Sequence, residues 1–301
     1  MVPRRSAIVA AFFAIYVIWG STYLGIRVAL ESMPPFLMAA GRFVLAGSAL
    51  LAWALRDRPE RPTSRQLANT VLLGFLFLVG GNGLVVWAET HVPSGLAALL
   101  AGVTPIWTSL LLWLVPGGRA PTAGMILGLA CGLAGAALLV APGELGGAPV
   151  HHGGALALAL ASLAWATGSV LTPRLDLPRH RPLSSALQML SAGIMLAVLA
   201  VIVGDAGRFQ PSDVTGRSLA AFLYLVVFGS LVAFSAFAWL LQVSTPERTA
   251  TTAYVNPVVA VLLGWLFAGE PITARTLVAG VLIVGAVAVI VTVTGRRRRV
   301  G

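Results

Sequence analysis

The chain has 301 residues, 58% of them hydrophobic and only 10% charged, with a mean hydropathy of +0.91; a soluble globular domain carries about 25% charged residues, so a soluble fold is excluded. The net charge of +10 does not point to nucleic acid. All twenty basic residues are arginine, standing mostly in short runs between apolar segments, where they set membrane orientation.

Arg4-Arg5 opens an apolar stretch that continues to Leu30, too long for a signal-peptide core, and reads as a retained first span. A run of about 20 apolar residues crosses the hydrocarbon core. On that ruler ten spans follow, near 7–29, 35–55, 67–88, 93–115, 122–141, 153–172, 184–204, 218–240, 247–268 and 274–294. The runs are unbroken, unlike the alternating segments of about ten residues in a membrane barrel, so the fold class is an all-α polytopic membrane protein. Connections are short and leave no sizeable extramembrane domain. The single cysteine, Cys131, excludes an internal disulfide and a zinc-type cluster. No lysine exists for a phosphate-cradling loop, which excludes an ATP-driven pump with its own nucleotide domain. No cofactor and no metal site are expected, and His151-His152 is too isolated to suggest one.

With the N-terminus inside, the inside segments hold fifteen arginines and the outside segments three, Arg208, Arg217 and Arg275. This bias places both termini in the cytoplasm. The two halves also repeat. At an offset of 152 residues Trp87 meets Trp239, Ala98 meets Ala250, Pro105 meets Pro257, Gly117 meets Gly269 and Gly128 meets Gly280. An echo at offset 146 pairs Trp19 with Trp165. Span 3 runs outward and its partner, span 8, inward. The expectation is therefore two inverted five-helix repeats, residues 1–146 and 147–301, around a central cavity, the layout of alternating-access transporters.

Several segments resemble the EamA-type members of the drug/metabolite transporter superfamily: Ile18-Trp19-Gly20-Ser21-Thr22-Tyr23, Gly41-Arg42-Phe43, Val79-Gly80-Gly81-Asn82-Gly83, Val92 to Leu100 and Ala253 to Gly264. The resemblance spans essentially the whole chain. It implies ten helices in two inverted halves, and it is nearest to bacterial inner-membrane exporters of amino acids, aromatic ones included. One departure stands out: span 9 ends in Gly269-Glu270, whereas span 4 ends in Gly117-Gly118-Arg119. Glu270 reads as a helix-end or loop residue.

A transport site needs polar and aromatic groups at mid-membrane depth. Trp19 and Tyr23, and Trp165 and Ser169, are pairs four residues apart on the first helices of the two halves, and so share faces. With Arg42, Asn82, Tyr254 and Asn256 they form the candidate substrate cavity. Arg42 either snorkels to the surface or turns inward to attract a substrate carboxylate. Pro105 and Pro257 remove a backbone hydrogen bond mid-span and are candidate paired kinks, freeing carbonyls near Ala101 and Ala253. Trp87, Glu89 and His91 form a candidate rim or gate at the outer mouth, with Glu89 and His91 exposed. Arg27 is placed to pair with Glu31 at (i, i+4). Gly124, Gly128, Gly132 and Gly280 offer small-xxx-small spacing for packing spans 5 and 10.

These features point to an inner-membrane exporter of small metabolites, amino acids including aromatic ones, with a small-molecule substrate and membrane lipid as partners. It is expected to act as a monomer, a homodimer being the alternative. No Asp or Glu lies inside any span, which favours facilitated diffusion, or coupling through a rim group such as Glu89 or His91. A proton-coupled exporter of cationic drugs is the alternative. An intramembrane enzyme lacks its constellation of residues, and a channel fits the paired kinks less well.

Overall fold

In lipid an apolar run must satisfy every backbone group within itself, so it becomes a helix. The computed structural model describes residues 5–114, 122–140, 144–145, 148–149, 151–243 and 252–300, and they are almost wholly helical. The first half holds α1 (Arg5–Ala29), α2 (Pro35–Ala54), α3 (Ser64–Gly74), α4 (Leu84–Ala88), α5 (Ser94–Ala101), α6 (Thr104–Leu114) and α7 (Ala123–Val140). The second holds α8 (His152–Leu171), α9 (Arg181–Ile202), α10 (Asp205–Arg208), α11 (Gly216–Tyr224), α12 (Ser235–Val243), α13 (Thr252–Ala268) and α14 (Ala274–Val300). A minimal antiparallel ladder pairs Glu144 with Pro149 and Leu145 with Ala148 between the halves.

Seven helical segments are long and apolar enough to cross a membrane: Ser6–Ala29, Pro35–Asp57, Ser64–Ala88, Ser94–Leu114, His152–Arg174, Arg181–Ile202 and Gly216–Leu240. Three shorter apolar helices, Ala123–Leu139, Val255–Ala268 and Ala274–Val289, fall where the sequence places spans 5, 9 and 10. Large apolar side chains such as Phe13, Leu114, Ile202 and Val281 stand out from the bundle, which suits a solvent of acyl chains rather than water.

Local chemistry sets the helix ends. Pro35 opens α2, where a missing N–H costs nothing. Thr63 and Gln66 form a reciprocal capping box at α3, with both bonds 3.2 Å long. The Nδ1 atoms of His151 and His180 accept from Gly154 N and Leu183 N to cap α8 and α9. Gly269, at φ +65°, ends α13 in the left-handed region that favours glycine.

Two features are absent from the sequence reading. The helix crossing from α3 to α4 passes through a π-helical segment, Phe75–Gly83, and the one from α11 to α12 passes through another, Leu225–Phe234. The two lie at matching places in the two halves. A π-segment widens the helix and shifts side chains out of the 3.6-residue register, and such segments recur at functional sites.

The second feature is a glycine pair. Gly47 and Gly193, 146 residues apart, hold α2 and α9 in close contact: a Cβ on Gly47 would lie 3.0 Å from Leu190 N, and one on Gly193 would lie 2.9 Å from Val44 N. In the packing of α7 on α14, Gly135 lies over Ala279 and Ile283. Gly132 sits against Ile106 of α6 as well as Ala286, and Gly128 is buried while Gly124 is half-buried. Gly280 faces Leu99 of α5 rather than α7; the i, i+4 spacing fixes a helix face but not which neighbour that face meets.

Candidate functional site

Arg42 lies eight residues into α2 and is only 3% exposed. It does not snorkel. Its Nε donates to Ser230 Oγ at 2.8 Å and its Nη1 to Asn82 Oδ1 at 3.4 Å. Asn82 belongs to the π-segment of the first half and Ser230 to that of the second. Arg42 thus ties the two π-segments together. Gly229 makes room for it, since a Cβ there would lie 2.9 Å from Nη2. Among the described residues no carboxylate lies within ion-pair distance of this guanidinium. The position matched at offset 146 is Gln188, which is buried and donates to Ser184 Oγ, so the charge belongs to one half only.

An aromatic cluster adjoins the arginine. Trp19 Nε1 donates to the Gly229 carbonyl at 3.3 Å. The Trp19 ring meets Trp165 edge-on, with centroids 5.5 Å apart, and lies 4.9 Å from Phe237. Phe77 packs on Trp165 at 5.0 Å. Gly81 and Gly168 accommodate these rings, because a Cβ on either would sit 2.9 Å from Trp165 or Phe77 respectively. The region expected to be an open cavity is filled here by aromatic rings in mutual contact. Burial of large apolar rings outweighs an unfilled space at this spot. Ser169 turns its hydroxyl back onto the Trp165 carbonyl at 2.8 Å, a common fate for serine inside a helix.

The Pro257 ring packs against the helix break that precedes Pro105. Pro105 and Pro257 are both buried, and the Pro257 ring lies where a Cβ on Gly102 would be 3.2 Å away. The first kink breaks the helix at Gly102-Val103, between α5 and α6. The Ala101 carbonyl freed by Pro105 accepts from Thr104 Oγ1 at 2.8 Å, so the break is repaired by its own neighbour. Thr104→Val is expected to cost about 1 kcal/mol, read as a fall of a few degrees in Tm in detergent. The second kink leaves α13 continuous. Asn256 Oδ1 is buried there and has no hydrogen-bond partner among the described residues. The Tyr254 side chain lies outside the described residues.

On the face of the bundle where α1 ends, hereafter the far face, the expected rim divides. His91 is exposed and stacks on His151 at 4.1 Å, with Trp87 half-buried beside both. Glu89 is the opposite of the expectation: it is 0% exposed, and among the described residues neither carboxyl oxygen has a hydrogen-bond partner. Tyr23 and Arg27 of α1 face it. Arg27 does not pair with Glu31, because α1 ends at Ala29 and the helical (i, i+4) geometry is lost. Its Nη1 donates to the Glu89 carbonyl at 3.0 Å, while Glu31 pairs with Arg217 at 3.4 Å.

Glu270 is a cap across the two halves. Its Oε1 accepts from Ser94 N at 2.7 Å and Ser94 Oγ at 2.8 Å, and its Oε2 accepts from Gly95 N at 2.9 Å. It thereby satisfies the first donors of α5, where the helix dipole favours an anion. Asp205 does the same for α2, accepting from Phe36 N at 2.9 Å.

A family model described as the EamA-like transporter family matches twice, over residues 6–141 and 152–292. The chain is 40% identical over 267 residues to the "Uncharacterized inner membrane transporter YedA" of Escherichia coli strain K12, covering 87% of this chain and 83% of that protein. It is 28% identical to "Protein PecM" of Dickeya dadantii, covering 96% and 95%. It is 27% identical to a "Probable terminal-alkyne amino-acid exporter" of Streptantibioticus cattleyicolor, covering 98% and 97%. A protein solved by crystallography superposes with a TM-score of 0.66 at 23% identity, over 96% of this chain and 98% of that one, a likeness of fold.

Proposed function

The chain belongs to the EamA-like transporter family, and from that premise we propose that it exports small metabolites bearing a carboxylate, amino acids with aromatic ones among them, by alternating access. It is a multi-pass inner-membrane transporter rather than an enzyme. The observation that carries the substrate reading is Arg42. A buried guanidinium without an anionic partner is costly, and a substrate carboxylate arriving between Asn82 and Ser230 supplies that partner bidentately. The neighbouring rings of Trp19, Trp165, Phe77 and Phe237 offer flat apolar faces for an aromatic side chain. The same buried cation disfavours a cationic drug as cargo.

The orientation follows the arginine bias: the face where α1 begins is cytoplasmic and the far face is outside. The two matched segments act as inverted repeats, and the contact of Gly102 with Pro257 is the pivot about which they rock. The site bridges halves that must move apart, and the substrate is bound where they meet.

Proteoliposomes holding the full chain test this, with a panel of labelled amino acids, their amides and cationic dyes. Exchange of aromatic amino acids is expected, with Trp19→Ala and Trp165→Ala each shifting the preference from aromatic to aliphatic substrates by about tenfold, the scale of one aromatic contact. Tyr254→Ala belongs in the same series. Wild-type selectivity in all three variants, or exchange of dyes alone, overturns the reading.

A further inference from the structure

Two carboxyl groups stand at the far face, near enough to influence each other's charge, and the sequence repeat gives neither a counterpart: at offset 152, Glu89 corresponds to Leu241 and Glu270 to Gly118. One end of the bundle therefore carries acid chemistry that the matching positions of the other half lack. Glu270 has all the donors, three of them, at the start of α5. Glu89, which follows the membrane-spanning segment Ser64–Ala88 directly, has none among the described residues, although it is wholly buried. The cationic Arg27 beside it donates to the Glu89 backbone carbonyl instead. The other titratable groups that act on it are Tyr23 on α1 and Glu270 beyond α13, while His91, two residues on, stacks on His151 at the start of α8.

An ionised carboxylate without donors in such a place costs several kcal/mol, roughly, and protonates instead. Burial, and then Glu270 nearby, push the Glu89 carboxyl well above the usual carboxylate range, while Arg27 draws it part of the way back. Closure at this face joins α4 to α1 through Arg27 and α5 to Glu270. Opening it lets water reach Glu89.

We propose that Glu89 is the proton-binding group of the outer gate: the gate closes with Glu89 protonated, and each opening releases that proton as the carboxylate ionises. This rests on the transporter reading above. The closed form holds the proton more tightly than the open form. Closure is therefore favoured at low pH and is lost as the pH rises from the ordinary carboxylate value towards the raised one. In that window the ratio of open to closed protein changes by up to about tenfold per pH unit, the slope of a one-proton equilibrium.

The purified full chain in detergent, with Cys131→Ser, reports the gate through Val261→Cys. Val261 lies against Gly95 beside Glu270. A second preparation carries Thr90→Cys, at an exposed position, and corrects for the pH dependence of the thiol itself. The ratio of maleimide labelling at position 261 to that at position 90 is expected to rise with pH, and to be flat in Glu89→Gln. A flat ratio with Glu89 present overturns the proposal, as does a slope that survives Glu89→Gln. Labelling needs no substrate, so the two readings fail separately. A slope without amino-acid transport supports the gate and refutes the cargo, whereas transport with a flat ratio overturns the gate alone.

Discussion

Arg42→Gln is expected to lower kcat/KM for amino-acid exchange by about a hundredfold or more, the consequence of removing one charged partner from a desolvated ion pair worth about 3–5 kcal/mol. Glutamine keeps an amide donor near Ser230 and Asn82, so the π-segments retain a bridge and the amount of folded protein should hold. Arg42→Lys keeps the charge but replaces a planar fork by a single ammonium. One head group does not span Ser230 and Asn82 together, and an intermediate loss of about tenfold is expected on the scale of one charge-assisted bond. Amino-acid amides, which lack the carboxylate, provide the control: their transport should respond to neither variant. Unchanged exchange of amino acids by Arg42→Gln would remove the carboxylate anchor from the mechanism.

The largest loss of stability is expected from Gly47→Leu and Gly193→Leu. At both positions the atoms that an added side chain meets include backbone, Leu190 N and Val44 N, which no rotamer change moves aside. The helices α2 and α9 must separate. Overpacking of this kind costs about 1–3 kcal/mol and occasionally more. Each variant should lower Tm in detergent by several degrees and reduce the monodisperse fraction. The double variant should cost less than the sum, because the first substitution has already parted the helices. Gly285→Leu is the matched control, since nothing lies within 4 Å of a Cβ there. A Tm for Gly47→Leu equal to that control would show that α2 and α9 are not held by close contact.

The glycine pair was within reach of sequence reading, because the offset that aligns Trp19 with Trp165 also aligns Gly47 with Gly193. The π-segments were not. Over nine or ten residues their register departs from 3.6 by about one residue, and neither Phe75–Gly83 nor Leu225–Phe234 carries a residue type that marks the change. The fate of Arg42 was open for a related reason. An arginine mid-span can reach water along its own stem or turn inward, and the choice depends on which helices offer acceptors.

The sequence by itself determined the solvent, the all-helical class, the repeat and the bias of arginine, because hydrocarbon tolerates only runs of apolar residues that satisfy their own backbones. It also singled out Trp19, Arg42, Asn82 and Trp165 as candidates, which the structure brings into two adjoining groups. Only the tertiary structure decided that Arg42 joins Asn82 to Ser230 across the two halves, that Glu270 caps α5, and that Glu89 is buried rather than exposed. Those outcomes depend on partners contributed by helices distant in sequence. A side chain's burial and charge state follow from what surrounds it in space, and periodicity along one helix carries no record of that.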